Sequence, residues 1–197
     1  MKRFFVFLKM IFVLPSIVIS RKKTKDEPFV YRIMLTKKMA SLILKRTKAK
    51  IFVKNTNLIP LEDGYTFISN HDSKYDGLVA LYANPLNLSF FVTAFERFPY
   101  MSSYFELTDS YRYNRDSKDD YLVSMSQNLL KHRNYHLFIE DIDHQVLSPS
   151  QLDAAYISKT AIIPVAIRNS KSIMKLGKHQ IVVSYCTPLH YEEYGSL

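Results

Sequence analysis

Between Tyr65 and Thr93 the chain reads as an apolar β-prone run, a helix-like segment and a second apolar run, and that order constrains the fold most. Tyr65 to Ser69 is rich in aromatic and β-branched residues. Tyr75 to Ala83 has helical character and is closed by Asn84-Pro85, and Leu88 to Thr93 (Leu-Ser-Phe-Phe-Val-Thr) reads as a buried strand. A strand, a helix and a strand in succession imply a sheet that is parallel at least in part. The alternation extends to both sides. Ile51 to Lys54 reads as a strand, Asn57 to Gly64 as a turn, Phe98 to Met101 as the opening of a helix and Asp119 to His132 as a helix. Tyr135 to Ile139 is a further strand, Ser150 to Thr160 a helix, and Ala161 to Ile167 and Gln180 to Tyr185 are the last strands. The predicted fold class is α/β, with a mixed, largely parallel sheet flanked by helices, in a domain covering residues 51–197. With 197 residues, 47% of them hydrophobic, such a domain can bury a full core.

The preceding residues 1–50 have a different character. Through Lys54 there are 15 Lys and Arg against Asp26 and Glu27, whereas the remainder has 12 basic and 16 acidic residues, so the net charge of +9 originates in the N-terminal third. The same third holds the most apolar run, Phe4 to Ile19, broken by Lys9 and Pro15. A bilayer-spanning helix takes about 20 apolar residues. This run is shorter, so the expectation is a helix lying in or dipping into one leaflet. Met1-Lys2-Arg3 imitates the start of a signal peptide, but Arg21-Lys22-Lys23 stands where a small-residue cleavage site belongs, which favours a retained anchor. Tyr31 to Lys50 reads as an amphipathic helix, with Ile33, Met34, Met39, Leu42, Ile43 and Leu44 among Lys37, Lys38, Lys45, Arg46 and Lys48. Each basic side chain beside anionic headgroups would gain about 1 kcal/mol. Nucleic acid is the other partner for such charge, but the adjoining apolar run favours lipid and no nucleic-acid partner is expected. The single cysteine, Cys186, rules out an internal disulfide framework and a cysteine-rich metal site, and reads as a core thiol.

The junction from Phe67 to Asp76 (Phe-Ile-Ser-Asn-His-Asp-Ser-Lys-Tyr-Asp) carries the candidate chemistry. On one continuous helix His71 and Asp76 would point roughly 140° apart. They cooperate only if His71 precedes the helix and Asp76 lies in its first turn, and Ser-Lys-Tyr-Asp has the form of a capping box with Ser73 as N-cap and Asp76 at N3. An imidazole backed by a carboxylate is a general base. A capping Asp76 and a polar loop histidine would be written the same way, so this spacing is decided only by its surroundings. Arg112 and Arg115, within Ser110 to Asp116, offer guanidinium groups to an anion such as phosphate, or salt bridges to Asp116, Asp119 and Asp120 on an exposed loop.

The order of these signals resembles the phospholipid and glycerol acyltransferases of the 1-acylglycerol-3-phosphate acyltransferase (lysophosphatidic acid acyltransferase) type. Asn70-His71, four residues, then Asp76 is similar to the family's first motif, Asn-His-x4-Asp. Arg115, sixteen residues after Pro99, stands where the second motif ends in Ile-Asp-Arg. Phe138-Ile139-Glu140-Asp141-Ile142-Asp143 occupies the place of Phe-Pro-Glu-Gly-Thr-Arg. Ile162-Ile163-Pro164-Val165 resembles Ile-Val-Pro-Val, preceded by Asp153-Ala154-Ala155-Tyr156 in place of Lys-Gly-Ala-Ala-Tyr. The resemblance covers roughly Ile51 to Leu189. It departs in the third motif, where glycine and arginine are replaced by Asp141 and Asp143, and before the second, where a common Lys-Glu pair is Thr93-Ala94.

The resemblance implies a glycerolipid acyltransferase-like fold and a membrane-associated enzyme on the cytoplasmic face. Such an enzyme moves a fatty acyl group from acyl-CoA or acyl-acyl carrier protein, as co-substrate, to a hydroxyl of a lysophospholipid or related glycerolipid. His71 is then the general base and Asp76 its orienting partner. Asn70, Arg112, Arg115 and Glu140 are substrate-binding residues, and backbone N–H groups near Ser73 receive the oxyanion. No metal and no cofactor are expected. The expected partners are anionic membrane lipids, the acyl donor and a lysolipid acceptor. Asp141 and Asp143, which would repel an acceptor phosphate, keep open a lipid-binding relative of the same fold without turnover.

Overall fold

The computed structural model describes residues 19, 22–61, 64–92, 104–112, 118–139, 149–175 and 178–195. The apolar run before Ile19, the helix opening at Phe98 to Met101, and Arg115, Glu140, Asp141 and Asp143 lie outside them.

Helix α1 (Phe29–Arg46) follows Pro28, which cannot continue a helix backwards, and ends on Lys45 and Arg46, whose charges suit a helix C-terminus. Ile33, Thr36, Met39, Ala40, Ile43 and Leu44 recur at three- and four-residue steps and are buried, and Met39, Ala40, Ile43 and Leu44 join the largest hydrophobic cluster, with residues of the second helix and the sheet. Most of the apolar face expected to meet lipid therefore meets protein. Val30, Tyr31, Met34 and Leu42 are the apolar side chains left on the outer face. Among the described residues no helix is long and apolar enough to cross a membrane.

The strands are β1 (Ala49–Lys54), β2 (Thr66–Asn70), β3 (Leu88–Val92), β4 (Tyr111–Arg112), β5 (Asn134–Ile139), β6 (Ile162–Arg168) and β7 (His179–Tyr185). They form a seven-stranded sheet in the order β1-β7-β6-β2-β5-β3-β4. Every neighbouring pair is parallel except β6 with β7. The remaining helices are α2 (Asp76–Ala83), α3 (Lys118–Leu130), α4 (Pro149–Ser158) and α5 (Tyr191–Tyr194).

Alternation along the strands sorts the core into two faces. Phe67, Phe90, Phe138 and Ile163 join α1 and α2 in one cluster. Phe91, Tyr135 and Leu137 pack with α3, and Ile68 and Ile162 with Ala155 of α4. The result is a mixed α/β sheet with helices on both faces. Cys186, expected in the core, is exposed. Ile181, Val183 and Tyr185 of β7 point inward, so the residue one step past Tyr185 faces out.

Two polar devices tie elements together, one at the starts of three strands and one between two helices. The Asn134 side-chain oxygen accepts from the N–H groups of Gly64 (3.0 Å) and Tyr65 (2.9 Å), and its amide nitrogen donates to Asn87 O (3.0 Å), joining the starts of β2, β3 and β5. Gly64 has φ +106° and a Cβ there would stand 2.7 Å from Leu129 O, so only glycine fits. At the far end of α2, the Lys37 ammonium of α1 donates to the carbonyls of Asn84 (2.8 Å), Pro85 (3.2 Å) and Leu86 (2.7 Å).

Candidate active site

Strand β2 lies between β5 and β6 and runs parallel to both, so the three chains leave the sheet at one edge. In open α/β sheets ligands bind beyond the carboxyl ends of the strands. His71 is the first residue after β2 and Asp76 the first residue of α2, which places both at that edge.

The separation of His71 Nδ1 from Asp76 Oδ2 is 3.3 Å. The carboxylate has no exposed surface, whereas the imidazole is 23% exposed, so the pair has a buried partner and an accessible ring. Asp76 is held from the loop as well, since the Ser73 N–H donates to Oδ2 at 2.7 Å. That bond is one half of the expected capping box. The other half differs, because Ser73 Oγ accepts from the Tyr75 N–H at 3.3 Å, while the Asp76 N–H closes a tight turn on Ser73 O at 2.9 Å. The helix accordingly begins at Asp76, and Asp76 is not its third residue. The N–H groups of Ser73, Tyr75 and Asp76 are all engaged in this turn, so they are not the oxyanion donors expected near Ser73.

The His71 ring rests on Phe138, with centroids 4.7 Å apart and planes inclined by 37°. Behind Phe138 lies His136, 4.6 Å from it at 40°. His136 is buried among Phe67, Phe90 and Phe138, and its Nε2 is 2.8 Å from Ser69 Oγ. Burial, aided by the nearby His71, lowers its pKa from the usual 6.5 to about 3, so it is neutral at physiological pH. Sequence reading did not single out His136, although it is the one imidazole in the otherwise apolar and aromatic run Tyr135 to Ile139.

Asn70 uses its side chain to extend the pairing of β2 with β6. Its oxygen accepts from the Ile167 N–H (2.9 Å), and its nitrogen donates to Ile167 O (2.8 Å) and to Asp72 Oδ2 (3.0 Å). Arg112 ends β4, opposite Val92. The fold thus brings Asn70, His71 and Asp76 together. Arg115 and Glu140 lie outside the described residues.

On the sheet face covered by α4 is a cavity of about 730 Å³. Ile68, Ile139, Leu152, Tyr156, Ile162 and Leu189 supply much of its apolar lining, and Asn70 borders it. This volume lies within the range of small-molecule sites, roughly 300–1,000 Å³.

The α/β fold, a largely parallel mixed sheet with helices on both faces, thus sets a buried carboxylate behind an accessible histidine at the strand ends. Among solved structures, the chain is similar to the crystal structure of the 1-acyl-sn-glycerophosphate (LPA) acyltransferase PlsC from Thermotoga maritima. The TM-score is 0.70 at 14% sequence identity, over 98% of this chain and 91% of that one. No family model matches the chain. No curated protein matches it. At this identity the likeness is one of fold.

Proposed function

We propose that the protein is a membrane-associated acyltransferase that moves a fatty acyl group from an acyl thioester to a hydroxyl of a lysophospholipid or related glycerolipid. The observation that carries this reading is the His71–Asp76 pair at 3.3 Å, at the parallel strand ends of an acyltransferase-like fold. Asp76 keeps the proton on Nδ1 and leaves Nε2 to take the proton of the acceptor hydroxyl. The hydroxyl oxygen attacks the thioester carbonyl, and the tetrahedral intermediate collapses with loss of the thiolate, which recovers the proton from His71. The cavity bordered by Asn70 suits an alkyl chain by size and apolar lining. The basic, apolar N-terminal third and the outward Val30, Tyr31, Met34 and Leu42 of α1 support attachment to anionic lipid on the cytoplasmic face.

The test is turnover of acyl-CoA and acyl-acyl carrier protein with a panel of lysolipids, comparing the wild type with His71→Ala. Equal activity in the two would remove His71 from catalysis. A second reading, a lipid-binding relative without turnover, is favoured by Asp141 and Asp143, which stand where the resembled family has glycine and an acceptor-binding arginine. It predicts liposome binding that survives His71→Ala, and no turnover with any acceptor.

A further inference from the structure

His136 is an unusual occupant of its position. Its surroundings are the rings of Phe67, Phe90 and Phe138, and it has 2% of its surface exposed. A leucine or phenylalanine would fill such a place without bringing polar nitrogens inside. Among the described residues its Nδ1 has no hydrogen-bond partner, which carries a desolvation penalty. Its other nitrogen has one partner, Ser69 Oγ, itself 1% exposed.

The direction of that bond follows from the next one. Ser69 Oγ donates its proton to the carbonyl of Asn70 at 3.2 Å. With the oxygen as acceptor toward His136 both bonds are made at once, His136 carrying its proton on Nε2 and leaving Nδ1 as a bare lone pair. The opposite direction would forfeit the Asn70 bond and strand a buried N–H on Nδ1. A short relay results, from His136 N–H to Ser69 and from the Ser69 O–H to Asn70 C=O. That carbonyl belongs to the peptide unit whose nitrogen is that of His71. From the same strand, the ring of Phe138 contacts both His136 and the His71 ring. Two contacts from β5, one polar and one aromatic, therefore converge on residue 71, one fixing the peptide that enters it and the other the plane of its ring.

We infer that His136 is a positioning residue for His71, acting through the Ser69–Asn70 relay and through the ring of Phe138. It does not touch substrate, because β5 and the aromatic cluster enclose it. The inference rests on the acyltransferase reading for its consequence in turnover, and on geometry alone for its effect on the His71 ring.

The experiment uses the full chain with ¹⁵N-labelled histidine in the wild type and in His136→Leu, His136→Gln and Ser69→Ala. It reads the tautomer and titration of His71 by NMR, and kcat and KM with acyl-CoA and lysophosphatidic acid. A glutamine amide can replace the Nε2 donor, whereas leucine cannot. The expected result is a single Nδ1–H tautomer of His71 in the wild type and His136→Gln, and a mixture of tautomers in His136→Leu and Ser69→Ala. In the latter two kcat falls about tenfold or more while KM changes less than about twofold, the signature of a misaligned base. An unchanged His71 spectrum in both His136→Leu and Ser69→Ala would overturn the inference. So would a His136→Gln protein as impaired as His136→Leu. If His136→Leu fails to fold, Ser69→Ala and His136→Gln decide the matter. If the wild type turns over no acceptor but the His71 spectrum responds as described, the positioning stands and the acyltransferase reading falls.

Discussion

Nδ1 of His71 stands 3.3 Å from Oδ2 of Asp76, and the carboxylate is held in place by the Ser73 N–H at 2.7 Å. Replacing Asp76 by asparagine keeps the shape, but Oδ2 serves both Ser73 and His71. The amide therefore either leaves its oxygen there and loses the charge that holds the imidazole, or turns its N–H to Nδ1, drives the imidazole proton to Nε2 and gives up the Ser73 bond. The expected outcome for Asp76→Asn is a folded protein by circular dichroism whose kcat is reduced by roughly 10²- to 10⁴-fold. Retention of most of the activity would separate Asp76 from catalysis.

His136 gives stability a pH dependence of definite sign. Its pKa in the folded chain is about 3, below the usual 6.5, so between those values the unfolded chain binds the extra proton. The groups facing it are the rings of Phe67, Phe90 and Phe138, the Ser69 hydroxyl and His71. Stability present above pH 6.5 is therefore lost as pH falls toward 3, by up to about tenfold in the folding equilibrium per pH unit. The difference between wild type and His136→Leu in urea midpoint should widen in favour of the variant between pH 7 and pH 5. A difference independent of pH would contradict the neutral buried state.

Lys37 fixes the end of the helix that begins with Asp76. Its three bonds satisfy carbonyls past the α2 C-terminus and place a cation at the negative end of the helix dipole. Lys37→Met should lower unfolding stability by about 1–2 kcal/mol. Measured at a temperature where the variant is folded, kcat per folded molecule should stay near the wild-type value.

Gly64 precedes β2 with a backbone that other residues rarely adopt, and a Cβ there would lie 2.7 Å from Leu129 O. Gly64→Ala should destabilise by about 1–3 kcal/mol through this strain. Chemical denaturation checks it, and an unchanged midpoint would mean that the turn relaxes freely.

The cavity lined by Ile68, Leu152 and Ile162 makes chain length a readable property. Each methylene buried contributes about 0.8 kcal/mol, roughly fourfold in affinity. Leu152→Trp, which narrows the cavity from α4, should shift the preferred acyl chain to shorter lengths in a competition among thioesters. If the preference does not move, the chain lies elsewhere.

The order of strands and helices was readable because each element carries its own pattern. Leu88 to Val92 and Asn134 to Ile139 are buried runs of strand length, and the helix of Asp76–Ala83 is closed by Asn84-Pro85. The pairing of His71 with Asp76 was readable as a spacing. Other features depended on partners far away in sequence. Whether Ile33, Ile43 and Leu44 faced lipid or protein could not follow from an amphipathic pattern, since both solvents reward the same stripe. Cys186 looked like a core thiol by residue type, and the end of β7 at Tyr185 put it outside.

By itself, then, the sequence determined the α/β class, the concentration of charge and apolar residues before residue 50, and the candidate base with its carboxylate. These are encoded in periodicity and in spacings of a few residues. Tertiary structure alone decided that β2 lies between β5 and β6, which brings Phe138, His136 and Ser69 behind His71 and gives the Asn70 amide to Ile167. The physical reason is that these contacts join residues about 70 to 100 positions apart, whose meeting depends on strand order and register and leaves no periodic mark along the chain.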